Sequence, residues 1–146
     1  LIHFRQQIRE AAAAALTGLA TTADRVYQSR LHPIDASKLP CLLVNTDDEE
    51  LSTVSIHPMP IMDRNITLTV RVVAKVVANL DDTLDGIIAE VESVLGGSTL
   101  GEKVKTLELQ TISIEMEAET DKPVGIATMR FLTSYMTVAN DATVAI

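Results

Sequence analysis

From Ile66 to Val76 the chain alternates, with Val73 the one apolar residue out of phase. Ile66, Leu68, Val70, Val72, Ala74 and Val76 take the even positions, with Thr67, Thr69, Arg71 and Lys75 between them. Successive side chains of a strand point to opposite sides, so a period of two held this long predicts one strand with one apolar face. Strands in globular domains average roughly five or six residues. A strand about twice that length needs an equally long apolar cover, or else it outruns its own core. Few folds of this size meet that demand, and those that do not must present part of the sheet to something else.

The cover is found immediately downstream. Leu84, Ile87, Ile88, Val91, Val94 and Leu95 follow the i, i+3, i+4, i+7 spacing of an amphipathic helix. Asn79 or Asp81 is placed to cap it, Asp81 and Asp82 suit the positive end of its dipole, and Gly96-Gly97 ends it. A hairpin of two more long strands follows, over residues 106–119 and 123–138, turned at Thr120-Asp121-Lys122. Its first strand changes parity, from Leu107 and Leu109 to Ile112, Ile114 and Met116, which predicts a bulge near Gln110-Thr111. Its second strand is apolar on both faces. Val124, Ile126, Leu132 and Met136 lie on one, and Met129, Phe131 and Tyr135 on the other. With only two helices available as cover, the face with Phe131 and Tyr135 is expected to remain open and to contact a neighbouring subunit.

The first part of the chain reads as a helix over residues 3–18, with Phe4, Ile8, Ala11, Ala12, Ala15 and Leu19 on one face. A strand at 25–31 and a connector at 34–40 come next, then a short apolar strand at 41–46. The four acids Asp47, Asp48, Glu49 and Glu50 read as a charged turn or loop, and residues 52–57 as a further strand candidate before Pro58 and Pro60. The segment 47–63 combines those acids with Ile56, Met59, Ile61 and Met62. It is expected to be mobile in an isolated subunit and to dock on assembly.

At 146 residues, 47% hydrophobic and 22% charged, the chain suits one domain rather than a disordered tail. The fold class expected is α+β, a mostly antiparallel or mixed sheet of long strands with two helices packed on it, over residues 1–146. Cys41 stands alone, so no internal disulfide forms, and its apolar neighbours make it a core residue. No apolar run nears the roughly twenty residues of a membrane helix, and no membrane partner is expected.

The charge is divided. Residues 79–121 hold eleven acids against Lys103 and Lys105, a net of −9, while the rest has nine acids against ten bases, a net of +1, which together give the −8 of the whole chain. So acidic a sector repels phosphates, and no specific nucleic acid is expected as a partner.

Three strings, RVYQSRLHPIDASKLPCLLVNTDDE over 25–49, NLDDTLDGIIAEVESVL over 79–95 and DKPVGIATMRFLTSYMT over 121–137, resemble the tail terminator proteins of long-tailed bacteriophages, lambda-type minor tail protein U among them. The resemblance extends over nearly the whole chain. It implies an α+β subunit of a phage or prophage that assembles as a homo-oligomer, a six-membered ring. The ring caps the finished tail tube, stops its polymerisation and offers a surface to the head–tail connector protein. It would reside in the virion tail after assembly in the bacterial host cytoplasm. On this reading the assembly surfaces are Asp47, Asp48, Glu49, Glu50, Met59, Ile61, Met62, Phe131 and Tyr135. Glu115, Glu117 and Glu119, on one strand face opposite Ile114 and Met116, would keep the bore negative.

No catalytic constellation is present in the pattern. Ser55, His57 and Asp63 have the letters of a triad without a nucleophile elbow. His3, His32 and His57 lack paired metal spacing. Asp81, Asp82 and Asp85 cluster as cation ligands would, but the helix dipole accounts for them. No enzyme activity, cofactor or metal is expected. The competing reading is a small oligomeric ligand-binding or scaffold domain of a bacterial cytoplasmic protein.

Overall fold

The computed structural model describes residues 2–28, 30, 36–56, 58–117 and 123–146. Its elements follow the order α1 (Phe4–Leu16), β1 (Val26–Tyr27), β2 (Cys41–Ser55), β3 (Ile61–Lys75), α2 (Leu80–Leu95), β4 (Glu108–Glu117) and β5 (Val124–Val138). The strands form one mixed sheet in the order β1-β2-β3-β5-β4, with β1 parallel to β2 and every other pair antiparallel. The fold is α+β, as expected.

The even residues of β3 face the helices. Ile66, Leu68, Val70, Val72 and Ala74 join Leu84, Ile87, Ile88, Val91 and Leu95 of α2 in one core, with Phe4, Ile8, Ala12 and Leu16 of α1. In α1 the buried set is Phe4, Ile8, Ala12, Ala13 and Leu16. Ala15 is exposed and Leu19 lies past the helix end, because Thr17 is already extended and Gly18 takes φ +97°. His3 caps this helix, its Nδ1 accepting from the Arg5 N–H at 3.0 Å. Asn79 is the residue before α2 but makes no side-chain capping bond. The first turn of α2 sits so close to β5 that a Cβ on Gly125 would meet Leu80 Cδ2 at 2.8 Å.

The loop after α2 is better held than its glycines suggest. Leu100, Val104 and Leu107 are buried, and Gly97 and Leu107 exchange backbone bonds with Leu107 and Ser98. On the opposite face of the sheet the described residues form a small cluster, Cys41, Leu43, Val73, Val124 and Ile126 with Tyr27 and Leu39 beside it. Cys41 is fully buried, and burial pushes its thiol up to about 11.

Three strands are 15 residues long. At ~3.3 Å per residue each runs roughly 45–50 Å, while the 16 residues of α2 span ~24 Å at ~1.5 Å per residue. The helices therefore cover about half of the sheet. Beyond them the sheet continues, tied by the chain's last residues: Ala139 N–H donates to Pro60 O at 2.8 Å and Ile146 N–H to Met136 O at 2.9 Å.

Two expectations are corrected here. The segment 47–63 is not a loop but the far end of a long hairpin, paired from Glu49↔Ile66 to Ser55↔Ile61. Phe131 and Tyr135 do not lie on an open face. Phe131 is fully buried and Tyr135 is 3% exposed, its ring 5.1 Å from that of Phe4. The odd positions of β5 pair with the even face of β3, so the helices that cover one cover the other.

Candidate assembly surfaces

The four acids of β2 do not share one environment, because a bulge between Thr46 and Glu49 inserts one residue. Asp47 points to the face away from the helices. There it accepts from the Thr69 hydroxyl, and from Arg30 at 2.8 Å. Burial pushes its carboxyl up, but the Thr69 hydroxyl and Arg30 guanidinium outweigh that and hold it below the usual carboxylate range. Asp48, the inserted residue, and Glu50 are exposed.

Glu49 turns inward. Its side chain is 4% exposed, accepts from Arg64 at 2.8 Å and receives the Tyr135 hydroxyl at 3.2 Å from each oxygen. Arg64 also donates to the Thr137 hydroxyl at 2.9 Å, and Arg5 approaches Glu49 at 3.8 Å. Burial, then the Glu49 charge, push the Tyr135 phenol up to about 12, so it stays a donor to the carboxylate. This cluster stands where the helix cover ends. Sequence reading missed it, since the bulge that turns Glu49 inward is not visible in a run of acids.

Past the cluster, Leu51, Val54, Ile56 and Met59 are exposed, while Ile61 and Met62 are half-buried. Of the expected assembly residues, then, Met59, Ile61, Met62 and the exposed acids gather at this end of the sheet. Glu49, Phe131 and Tyr135 are interior.

The β4 edge differs from expectation in one respect. The bulge falls where the parity change placed it, between Leu109 and Thr111, and puts Ile112, Ile114 and Met116 on the helix side of the sheet. The helices do not reach them, and they are 42%, 49% and 59% exposed. Glu115 and Glu117 are exposed on the other face, and Glu119 lies outside the described residues. Their face also carries Asp47, Glu50, Asp63 and Glu108, against Arg71, Lys75 and Arg130. It is acidic on balance rather than uniformly negative.

A recess of about 390 Å³ opens at the outer side of β2, lined by Arg5, Arg9, Gln28, Arg30, Asn45, Thr46 and Asp47. Nothing in the sequence marks it, since its residues come from α1, the segment after β1, and β2. Of the triad letters, Ser55 and Asp63 lie near the exposed end of the sheet, and His57 is outside the described residues. Asp81, Asp82 and Asp85 are exposed on the first turns of α2. Among the described residues no group of three or more His, Cys, Asp or Glu is placed to hold a metal ion. Among them, too, no helix is long and apolar enough to cross a membrane.

No protein-family model matches the chain, and no curated protein matches it. A solved chain from the virion of a native gene transfer agent particle is similar to it at a TM-score of 0.44 and 18% identity, over 90% of this chain and 92% of that one.

Proposed function

We propose that this protein is a structural component of a bacteriophage tail, a tail terminator whose subunits form a closed ring at the end of the tail tube. The ring, a hexamer, stops tube polymerisation and presents a surface to the head–tail connector. The sequence resemblance supplies the family. The observation that carries the reading is the sheet end beyond the helices, where the end of β2 and the turn that follows it expose Leu51, Val54, Ile56 and Met59 together. An isolated domain gains nothing by building roughly 20 Å of paired sheet without a core. A subunit that grips another protein does.

The sheet face opposite the helices would line the bore, with Glu115 and Glu117 among six carboxylates facing three cations. A bore that is acidic on balance lets DNA pass without adhering. A head-to-tail contact repeated around an axis closes as a ring or grows as a filament, and a protein that halts a polymer has to close.

Light scattering and negative-stain imaging, at high protein concentration and with tail tubes added, test this reading. A ring is expected in at least one condition. A mass that stays at one chain in both would leave the scaffold-domain reading ahead. Double-stranded DNA at physiological salt should not be bound tightly, and submicromolar, salt-sensitive binding would remove the negative bore.

A further inference from the structure

Among the described residues the sheet has two open edges, and they are opposites. On one side β1 pairs only with Leu42 and Leu43, so among the described residues no strand pairs with the outer edge of β2 from Val44 to Val54. This edge borders the recess with Arg5, Arg9 and Arg30. Arg30 is engaged with Asp47 at 2.8 Å and with the Thr46 carbonyl at 2.7 Å, and Arg5 is near Glu49. Arg9 donates to the Gln28 side-chain oxygen at 3.0 Å, and among the described residues no carboxylate pairs with it. Asn45 lines the same recess at 4% exposure, and both its amide oxygen and its amide nitrogen are buried without a hydrogen-bond partner.

On the other side, β4 is the last strand, and its sequence from Glu108 to Glu117 holds three Glu and no Lys or Arg. Its helix-side row is Ile112, Ile114 and Met116, all exposed. An edge that offers unpaired backbone and an apolar row is a template for another strand.

We propose that the free edge of β2 receives the β4 edge of a second copy of this chain, joining subunits head to tail with Arg30, held on the Asp47 face of the sheet, facing Glu108 and Glu115 on that same face across the joint. Ile112, Ile114 and Met116, on the helix side of the sheet, are covered by the neighbour's α1 side. The strand directions fit. β2 and β4 are antiparallel within the sheet, since three antiparallel pairings separate them. Rotation about an axis along the strands then brings β4 antiparallel to the next β2, and one sheet continues from subunit to subunit. The charge division of the chain, −9 over residues 79–121 and +1 elsewhere, has the sign this joint requires.

This inference rests on the ring reading and is tested apart from it by charge reversal and mixing. Glu108→Arg/Glu115→Arg reverses the strand edge, and Arg30→Glu reverses the facing edge. Each variant alone should fall to the mass of one chain where the wild type assembles. Mixed one to one, the two should assemble again in alternation, which an even-numbered ring permits. Circular dichroism reads whether each variant is folded. If Arg30→Glu is not, Arg30→Ala carries the test, with partial loss of assembly expected. Both variants assembling like wild type, or folded variants staying apart when mixed, would overturn this joint and leave the ring reading standing. A wild-type chain that never assembles, with or without tubes, would overturn the ring reading itself.

Discussion

From Cys41 to Thr46, β2 is buried on both faces, while from Leu51 to Val54 the same strand, in the same antiparallel partnership with β3, is exposed on both. Both halves pair with β3, the first in continuous register and the second with a register shift between Thr53 and Ser55. What differs is the layer above. The first half lies beneath α1 and α2, and Leu42 and Val44 contribute to the main core. The second lies beyond them, and its stability comes from cross-strand pairs and from the buried Glu49–Arg64 pair at the boundary. Pairing makes a strand, and cover makes a core. A stretch with the first and little of the second is suited to contacts outside the subunit.

The largest effect that would break this comparison lies in the covered half. Ile88, 6% exposed on α2, faces the sheet. Ile88→Asp would bury an unpaired carboxylate and should cost ~3–5 kcal/mol, a fall in Tm of roughly 10 °C for a chain of this size. A variant melting within about 2 °C of wild type would show that the helix cover does not carry the stability.

Next is the boundary. Glu49→Ala leaves the Arg64 guanidinium buried without its carboxylate, and removing one partner of such a pair costs about 3 kcal/mol. Hydrogen exchange should rise at residues 49–55 and 61–66 before it rises at 41–46. Uniform loss of protection along β2 would mean that the two halves are one cooperative unit.

Tyr135 sharpens the same boundary through pH. Its folded-state phenol is raised to about 12 by burial and the Glu49 charge, against about 10 when unfolded. The stability it contributes is complete below pH ~10 and is lost as pH rises toward ~12, because the unfolded chain ionises first. Tyr135→Phe should cost about 1 kcal/mol at neutral pH and flatten that alkaline decline in a series of melts. An unchanged slope would place the alkaline titration elsewhere.

The smallest effect belongs to the uncovered half. Leu51→Ser is expected to change stability by no more than ~0.5 kcal/mol, since Leu51 is 49% exposed. Its effect should appear instead as lost binding to tail tubes, measured by co-sedimentation. A marked fall in Tm with binding intact would make Leu51 a core residue.

The sequence by itself determined the elements whose pattern is local. The even face of β3, the stripe of α2 and the bulge between Leu109 and Thr111 are all periodicities, and a period is a property of neighbours along the chain. It also determined the division of charge between residues 79–121 and the rest. Tertiary structure alone decided what depends on distant residues. Phe131 and Tyr135 look uncovered until β5 is placed beside β3, beneath the same helices. Ile112, Ile114 and Met116 look buried until the helices prove too short to reach them. Glu49 looks like a loop residue until the bulge turns it onto Arg64, 15 positions away. The recess exists only because α1, the segment after β1 and the free side of β2 meet in space. Periodicity says which side of an element is apolar, but what lies over that side is fixed by topology and by relative length, and neither is written in any local pattern.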